Sequence, residues 1–181
     1  MLDLLLQDAV FVVFDVETTG LSAFSGDKIC EIAAMKIKGK EIIEHFYSLV
    51  NPQRPIGEGA FRIHGITIDL LSNAPTIEDI LPDFLKFIKN TVLVAYNADF
   101  DISFINAALL QQNQPRLTNR AIDLLNMARR LMPGMPRYNL GSIARAIGVS
   151  FANSHRARID CELANKIFLY FIERMERNTR K

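Results

Sequence analysis

The stretch that most constrains this chain is Ala9-Val10-Phe11-Val12-Val13-Phe14-Asp15-Val16. It is apolar, β-branched and aromatic up to its acid, the pattern of a strand buried on both faces. Such a strand needs a sheet around it and helices above and below. Its end carries Asp15, then Glu17, Thr18, Thr19 and Gly20. Side chains two apart on a strand point to the same side. Asp15 and Glu17 therefore project together at the C-terminal end of the strand, ahead of turn-forming residues. Two carboxylates in that place repel unless something neutralises them, and a hard divalent cation with oxygen ligands does so. The competing and weaker reading of the pair alone is a surface loop that happens to be acidic.

The rest of the chain can supply the cover. Residues 28–37 read as a second strand, Lys38-Gly39-Lys40 as a hairpin turn and 41–50 as a third strand. Short helices broken at Gly65 follow over 57–72. Thr76 is a candidate N-cap for a helix over 77–89, with Leu81, Phe84, Leu85 and Ile88 on one face. Residues 91–95 form a short buried strand. Helices are predicted over 99–112, 123–132, 139–147 and 159–177, with Pro133-Gly134-Met135-Pro136 as a break. This order gives an α/β fold: a mixed sheet with a meander and at least one parallel crossover, helices on both faces. Without a repeat or long linker, 181 residues that are 49% apolar make one domain over 1–181. The N-terminal MLDLLLQDAV carries two acids and no basic lead, so it reads as structure and not as a signal peptide. Cys30 and Cys161 have no metal-binding spacing and read as buried free thiols, which suits a reducing cytoplasm.

Two further constellations follow other strand or loop ends. Tyr96-Asn97-Ala98-Asp99-Phe100-Asp101 comes directly after the strand at 91–95. Asn97 or Asp99 could cap the next helix, with Asp101 in its first turn, although acids are common there because they complement the helix dipole. His155-Arg156-Ala157-Arg158-Ile159-Asp160 precedes the last helix. Within one helix, five residues would set His155 and Asp160 roughly 140° apart. They converge if Asp160 begins the helix and His155 lies on the preceding loop, where an imidazole can meet a water as general base.

Taken together, FDVETTG, YNADFD and HRARID resemble motifs I, II and III of the DEDD exonuclease superfamily, in its histidine-bearing DEDDh branch. That branch includes the proofreading exonucleases of bacterial replicative DNA polymerases. The resemblance covers about residues 10–175, and HGIT at 64–67 and YNLGSIARAIGV at 138–149 also look like family stretches. It implies a ribonuclease-H-like fold, a five-stranded mixed sheet flanked by helices. The residue pattern shows four clear strands, so the fifth would lie near Arg120-Ala121-Ile122-Asp123. The resemblance further implies 3′→5′ exonuclease activity with two divalent metal ions, Mg²⁺ or Mn²⁺. Asp15, Glu17, Asp101 and Asp160 match the metal ligands and His155 the base. Thr18, His64 and Asn97 match positions near the terminal nucleotide. Tyr96 departs from the pattern, since many members have histidine there. Leu21 and Phe24 offer apolar surface to a terminal base.

Charge adds a separate reading. Residues 116–158 hold eight arginines against one acid, Asp123, so that segment is +7 and the remainder −6 in a chain of net charge +1. Arginine is the better partner for phosphate, and Arg137 and Arg145 are candidate contacts to a substrate backbone; the competing reading is an ordinary solvated surface. Expected partners are single-stranded or frayed nucleic-acid 3′ ends, with a DNA polymerase as a further one and no membrane, because no apolar run is long enough to span it. The chain ends soon after its last helix, which fits both a free-standing enzyme and an excised polymerase domain. Two alternatives use the same fold. An exoribonuclease would need a contact to the 2′-hydroxyl, and a catalytically silent nucleic-acid or polymerase-binding module would not need all five motif residues.

Overall fold

A computed structural model describes residues 9–150 and 155–179. The expectation for residues 1–8 lies outside this range. Five strands form one sheet in the order β3-β2-β1-β4-β5. β1 (Val10–Thr18) lies at its centre, with β2 (Ile29–Lys38) and β3 (Glu41–Leu49) antiparallel on one side. β4 (Val92–Ala95) and β5 (Ala121–Asp123) run parallel to β1 on the other side. This is the mixed sheet with a meander and parallel crossovers that the sequence pattern required. The β2–β3 turn is Gly39-Lys40, with Gly39 at φ 62°, a conformation in which glycine carries no steric penalty.

The fifth strand is where the residue pattern was weakest. β5 has three residues, too few for any periodicity to show, and it runs directly into a helix. Asp123 closes the strand and caps that helix, its carboxylate accepting from the backbone N–H of Leu125 at 2.7 Å and of Asn126 at 3.3 Å. The helix predicted from residue 123 therefore begins at Leu124, and its lead-in is a strand.

Seven α-helices are described: α1 (Glu58–His64), α2 (Ile68–Leu71), α3 (Ile77–Phe87), α4 (Ala98–Gln111), α5 (Leu124–Leu131), α6 (Leu140–Ala146) and α7 (Ala157–Thr179). The alternation of β1 divides the core. Val12, Phe14 and Val16 pack with Leu81 and Phe84 of α3 and Phe104 and Ile105 of α4. Phe11 and Val13 face the other way, onto Leu124 of α5, Ile143 of α6 and Ile167, Phe168 and Phe171 of α7. Asp15 and Glu17 continue this second face, so the sheet's twofold alternation delivers both acids to the side on which α7 lies. Cys30 and Cys161 are buried and free, as expected. No described helix is long and apolar enough to cross a membrane.

Candidate active site

β1 outruns its parallel neighbour. Pairing with β4 covers Phe11 to Val13, and beyond that the β4 side of β1 has no strand beside it. Asp101 fills the gap: its carboxylate accepts the Val16 backbone N–H at 3.1 Å. The turn that brings it there is tight. β4 ends at Ala95, Asn97 adopts the left-handed conformation with φ 68°, and α4 starts at Ala98 with Asp101 in its first turn. Asparagine is among the few residues that enter that region readily. Asn97 thus occupies the cap position without a side-chain cap bond, and its side chain is exposed.

α7 supplies the fourth acid from the opposite side. Asp160 sits in its first turn, with its backbone N–H donating to the Arg156 carbonyl at 3.0 Å. His155 precedes the helix, 65% exposed, with Nδ1 3.8 Å from an Asp160 carboxylate oxygen. The two converge because the histidine is on the loop and the acid on the helix. Ligand oxygens of Asp15, Glu17 and Asp160 all lie within 4.8 Å of one another. Among the described residues no lysine or arginine forms an ion pair with these three acids.

Crowding has an electrostatic cost. Burial pushes Glu17 up to about 8, and the Asp160, Glu31 and Asp101 charges add to it. Burial, then the charges of Asp101, Glu17 and Asp160, hold Asp15 well above the usual carboxylate range. Asp101 reaches about 8 because burial outweighs its hydrogen bond from Val16. Burial lifts Asp160 to about 6 against the opposing effect of His155. Four hard oxygen donors whose ionised forms are disfavoured by burial and by one another fit a divalent metal.

The turn after β1 is braced from two sides. The Thr18 hydroxyl donates to the Gly20 carbonyl at 2.6 Å. The Thr19 carbonyl accepts the Gly57 N–H at 2.8 Å, and the Thr19 hydroxyl donates to Asp27 at 3.3 Å. A Cβ at Gly20 would lie 2.3 Å from an Asp27 carboxylate oxygen, so a side chain there would displace the Asp27 carboxylate that braces the turn. His64 is buried. Its Nδ1 accepts the Ile66 N–H at 3.0 Å, which leaves Nε2 to donate to the Thr18 carbonyl at 3.2 Å. The family resemblance implied a place beside the terminal nucleotide. Here both ring nitrogens are engaged within the protein, and His64 braces Thr18. Beyond the turn, Leu21 and Phe24 are 81% and 83% exposed. Phe24 borders a cavity of about 220 Å³ that Asp99, Ile102, Asn106 and Arg116 also line.

Tyr96 is half-buried on the α7 side of the sheet. Its hydroxyl donates to the Tyr138 carbonyl and its ring packs against the α7-side core, so the substitution ties motif II to the segment before α6. The arginine segment is not uniform. Arg156 is committed to Glu31, and Arg158 lies 3.5 Å from Glu162. Arg137 and Arg145 are exposed, one on the loop before α6 and one on that helix.

Glu31 and Tyr47 did not emerge from the sequence patterns. Glu31 is fully buried in β2, opposite Glu17 in the register. The signal was a single acid inside the apolar run Ile29–Met35, because a fully buried carboxylate is almost always paired.

Fold and site together define an exonuclease. The chain belongs to the Exonuclease family, which matches residues 12–168. It is 39% identical over 172 residues to the PolC-type DNA polymerase III of Bacillus subtilis, covering 93% of this chain and 12% of that protein. The Streptococcus pneumoniae D39 protein of the same description is 39% identical over 168 residues, 93% of this chain and 11% of that one. The chain thus spans about a tenth of the length of the curated relatives it matches. Among solved structures, exonuclease X in complex with 5′ overhanging duplex DNA superposes with a TM-score of 0.74 at 27% identity, covering 90% of this chain and 91% of that one. E. coli exonuclease I in complex with a dT13 oligonucleotide shares the fold, with a TM-score of 0.84 at 20% identity over 96% of this chain and 43% of that one.

Proposed function

We propose that this chain removes nucleoside 5′-monophosphates from DNA 3′ ends, in proofreading or repair. The observation that carries the reading is the convergence of three acids within 4.8 Å, with Asp101 braced on the same strand end and His155 beside Asp160. Asp15, Glu17, Asp101 and Asp160 would hold two divalent ions, Mg²⁺ or Mn²⁺. Bound there, such ions supply charge neutralisation of the phosphodiester and of the attacking and leaving oxygens. His155 is the base: exposed on its loop, it accepts a proton from the attacking water as the new P–O bond forms and the P–O3′ bond breaks, and the leaving 3′-oxygen takes a proton from solvent to become the new 3′-hydroxyl. The His155 Nδ1 lies 3.8 Å from an Asp160 carboxylate oxygen, which keeps the base beside the proposed metal ligands. Thr18, Leu21 and Asn97 would hold the terminal nucleotide, with apolar contact that tolerates any base. Arg137 and Arg145 would meet phosphates further along the strand.

The substrate is expected to be a single-stranded or frayed end, and a DNA polymerase the partner that presents it. The PolC-type relatives support this, as does the likeness to exonuclease X with its DNA. The buried free thiols fit a reducing cytoplasm. Product analysis tests the reading. With Mn²⁺ or Mg²⁺, 3′-labelled single-stranded DNA should release labelled mononucleotide at once, and a 5′-labelled strand should shorten stepwise. A mismatched duplex end should be cut faster than a matched one. Preference for an RNA strand of the same sequence would move the reading to an exoribonuclease, and no cleavage of any strand would sink it.

A further inference from the structure

Among the described residues, the Glu31 carboxylate collects more hydrogen bonds than any other side chain beside the site. Arg156 reaches it with Nε, 3.1 and 3.0 Å from the two oxygens, and with a terminal nitrogen at 2.6 Å. The backbone N–H of Ala157 donates to it at 2.9 Å, and the Tyr47 hydroxyl at 2.8 Å. Arg156 also reaches the Tyr47 oxygen at 3.3 Å. Ala157 is the first residue of α7, so its N–H has no partner within the helix. Glu31 therefore caps a helix from a distant strand, 126 residues away in sequence. Arg156 is the residue between His155 and that helix, and its carbonyl accepts from Asp160.

This arrangement costs the site something. A fifth carboxylate, across the register from Glu17, adds negative charge beside acids that already repel. Were Glu31 only filling space, an apolar residue in β2 would remove that repulsion and the burden of a buried charge at once. What the carboxylate alone supplies is direction: a planar fork-on-fork pairing with guanidinium fixes position and angle together.

We propose that Glu31, Arg156 and Tyr47 form a strap across the β2–β3 side of the sheet that sets where α7 begins, and so places Asp160 and His155 against Asp15 and Glu17. All three are positioning residues. The inference rests on the exonuclease reading for its catalytic consequence, but not for its effect on metal binding.

The test separates geometry from charge. Arg156→Lys keeps the charge and loses the fork. It should lower kcat about tenfold, leave KM for a single strand within about twofold, and weaken Mn²⁺ binding about fivefold in calorimetry on the protein alone. Glu31→Gln and Arg156→Gln carry opposite changes of charge. If the strap acts by placement, both weaken Mn²⁺ binding; if the two residues act only as charges near the acids, Glu31→Gln weakens it and Arg156→Gln tightens it. That opposite pattern, or parental Mn²⁺ affinity in Arg156→Lys, overturns the proposal. Tyr47→Phe, at a half-exposed position, serves if a glutamine variant fails to fold, and should move Mn²⁺ affinity in the same direction by about twofold; parental affinity there counts against the strap. Because the calorimetry needs no substrate, a parent that cleaves nothing sinks the function and leaves the strap still decided by Mn²⁺ binding.

Discussion

Asp15 and Glu17 are two residues apart on one strand, and that spacing alone put them on one side. Their environment says what removing either should do. Each is held above the ordinary carboxylate range by burial and by its acidic neighbours, so the apo fold is better off without one of them. Asp15→Asn or Glu17→Gln is expected to lower cleavage below about a tenth of the parent rate, a barrier increase of more than about 1.4 kcal/mol. The melting temperature without metal should hold or rise. Steady-state rates and a thermal scan on the same preparations check this, and a variant that keeps most of its rate would remove that residue from the proposed metal site. His155 calls for the opposite signature. It is exposed and lies beside Asp160, so His155→Ala should leave fold and strand binding close to parental. Its kcat should fall about 10²–10⁴-fold, the usual worth of a general base. A binding titration beside single-turnover kinetics distinguishes that from a weakened substrate site.

At the scale of elements, the first four strands and the helices were legible in the residue pattern, whereas the three-residue β5 and the long-range pairing of Glu31 were not. β1, β2 and β3 fall within about two residues of their predicted bounds, because apolar β-branched runs and the Gly39 turn are local signals. β5 was hidden by its length, and Glu31 by the range of its partnership, since a strand residue and a helix start far along the chain meet only in three dimensions. The same limit applies to the arginines. Sequence counts charge along the chain, whereas the fold commits Arg156 to Glu31 and sets Arg158 near Glu162. Arg137 and Arg145, exposed on the loop before α6 and on that helix, are the proposed grip on the substrate backbone. Arg137→Ala combined with Arg145→Ala should weaken binding to long single strands by a similar factor for every sequence, because phosphates carry no base identity. The dependence of log affinity on log salt should flatten by roughly 0.7 for each phosphate that is no longer neutralised. Trinucleotide cleavage should change little. Equal salt slopes for parent and double variant would show that this face does not touch the strand.

Over the whole molecule, the acids make stability depend on pH in a direction that metal should reverse. Glu17 and Asp101 lie at about 8 and Asp160 at about 6 in the fold, against roughly 4 for such groups in an unfolded chain. Their folded values are raised, so the native state binds protons more tightly than the unfolded one. The stability they contribute is whole below about pH 4 and drains as pH climbs through 6 and then 8. Glu31 works in the other sense. Burial would raise it, but its hydrogen bonds from Arg156, Ala157 and Tyr47 prevail and hold it below the ordinary range. Its contribution is present at neutral pH and is lost only in stronger acid. The apo protein should therefore melt highest in mildly acidic solution and several degrees lower at pH 9. Glu17→Gln should flatten the alkaline slope by removing one of the groups that generates it. A divalent cation binds only the ionised carboxylates, so it must displace their protons at low pH and meets few at high pH. Saturating Mn²⁺ should thus raise the melting temperature more at pH 8 than at pH 5, and most at the pH where the apo protein is weakest. Thermal scans of parent and Glu17→Gln across this range, each with and without Mn²⁺, decide the matter: a metal shift equal at both pH values would mean that the crowded carboxylates are not the groups the ion neutralises.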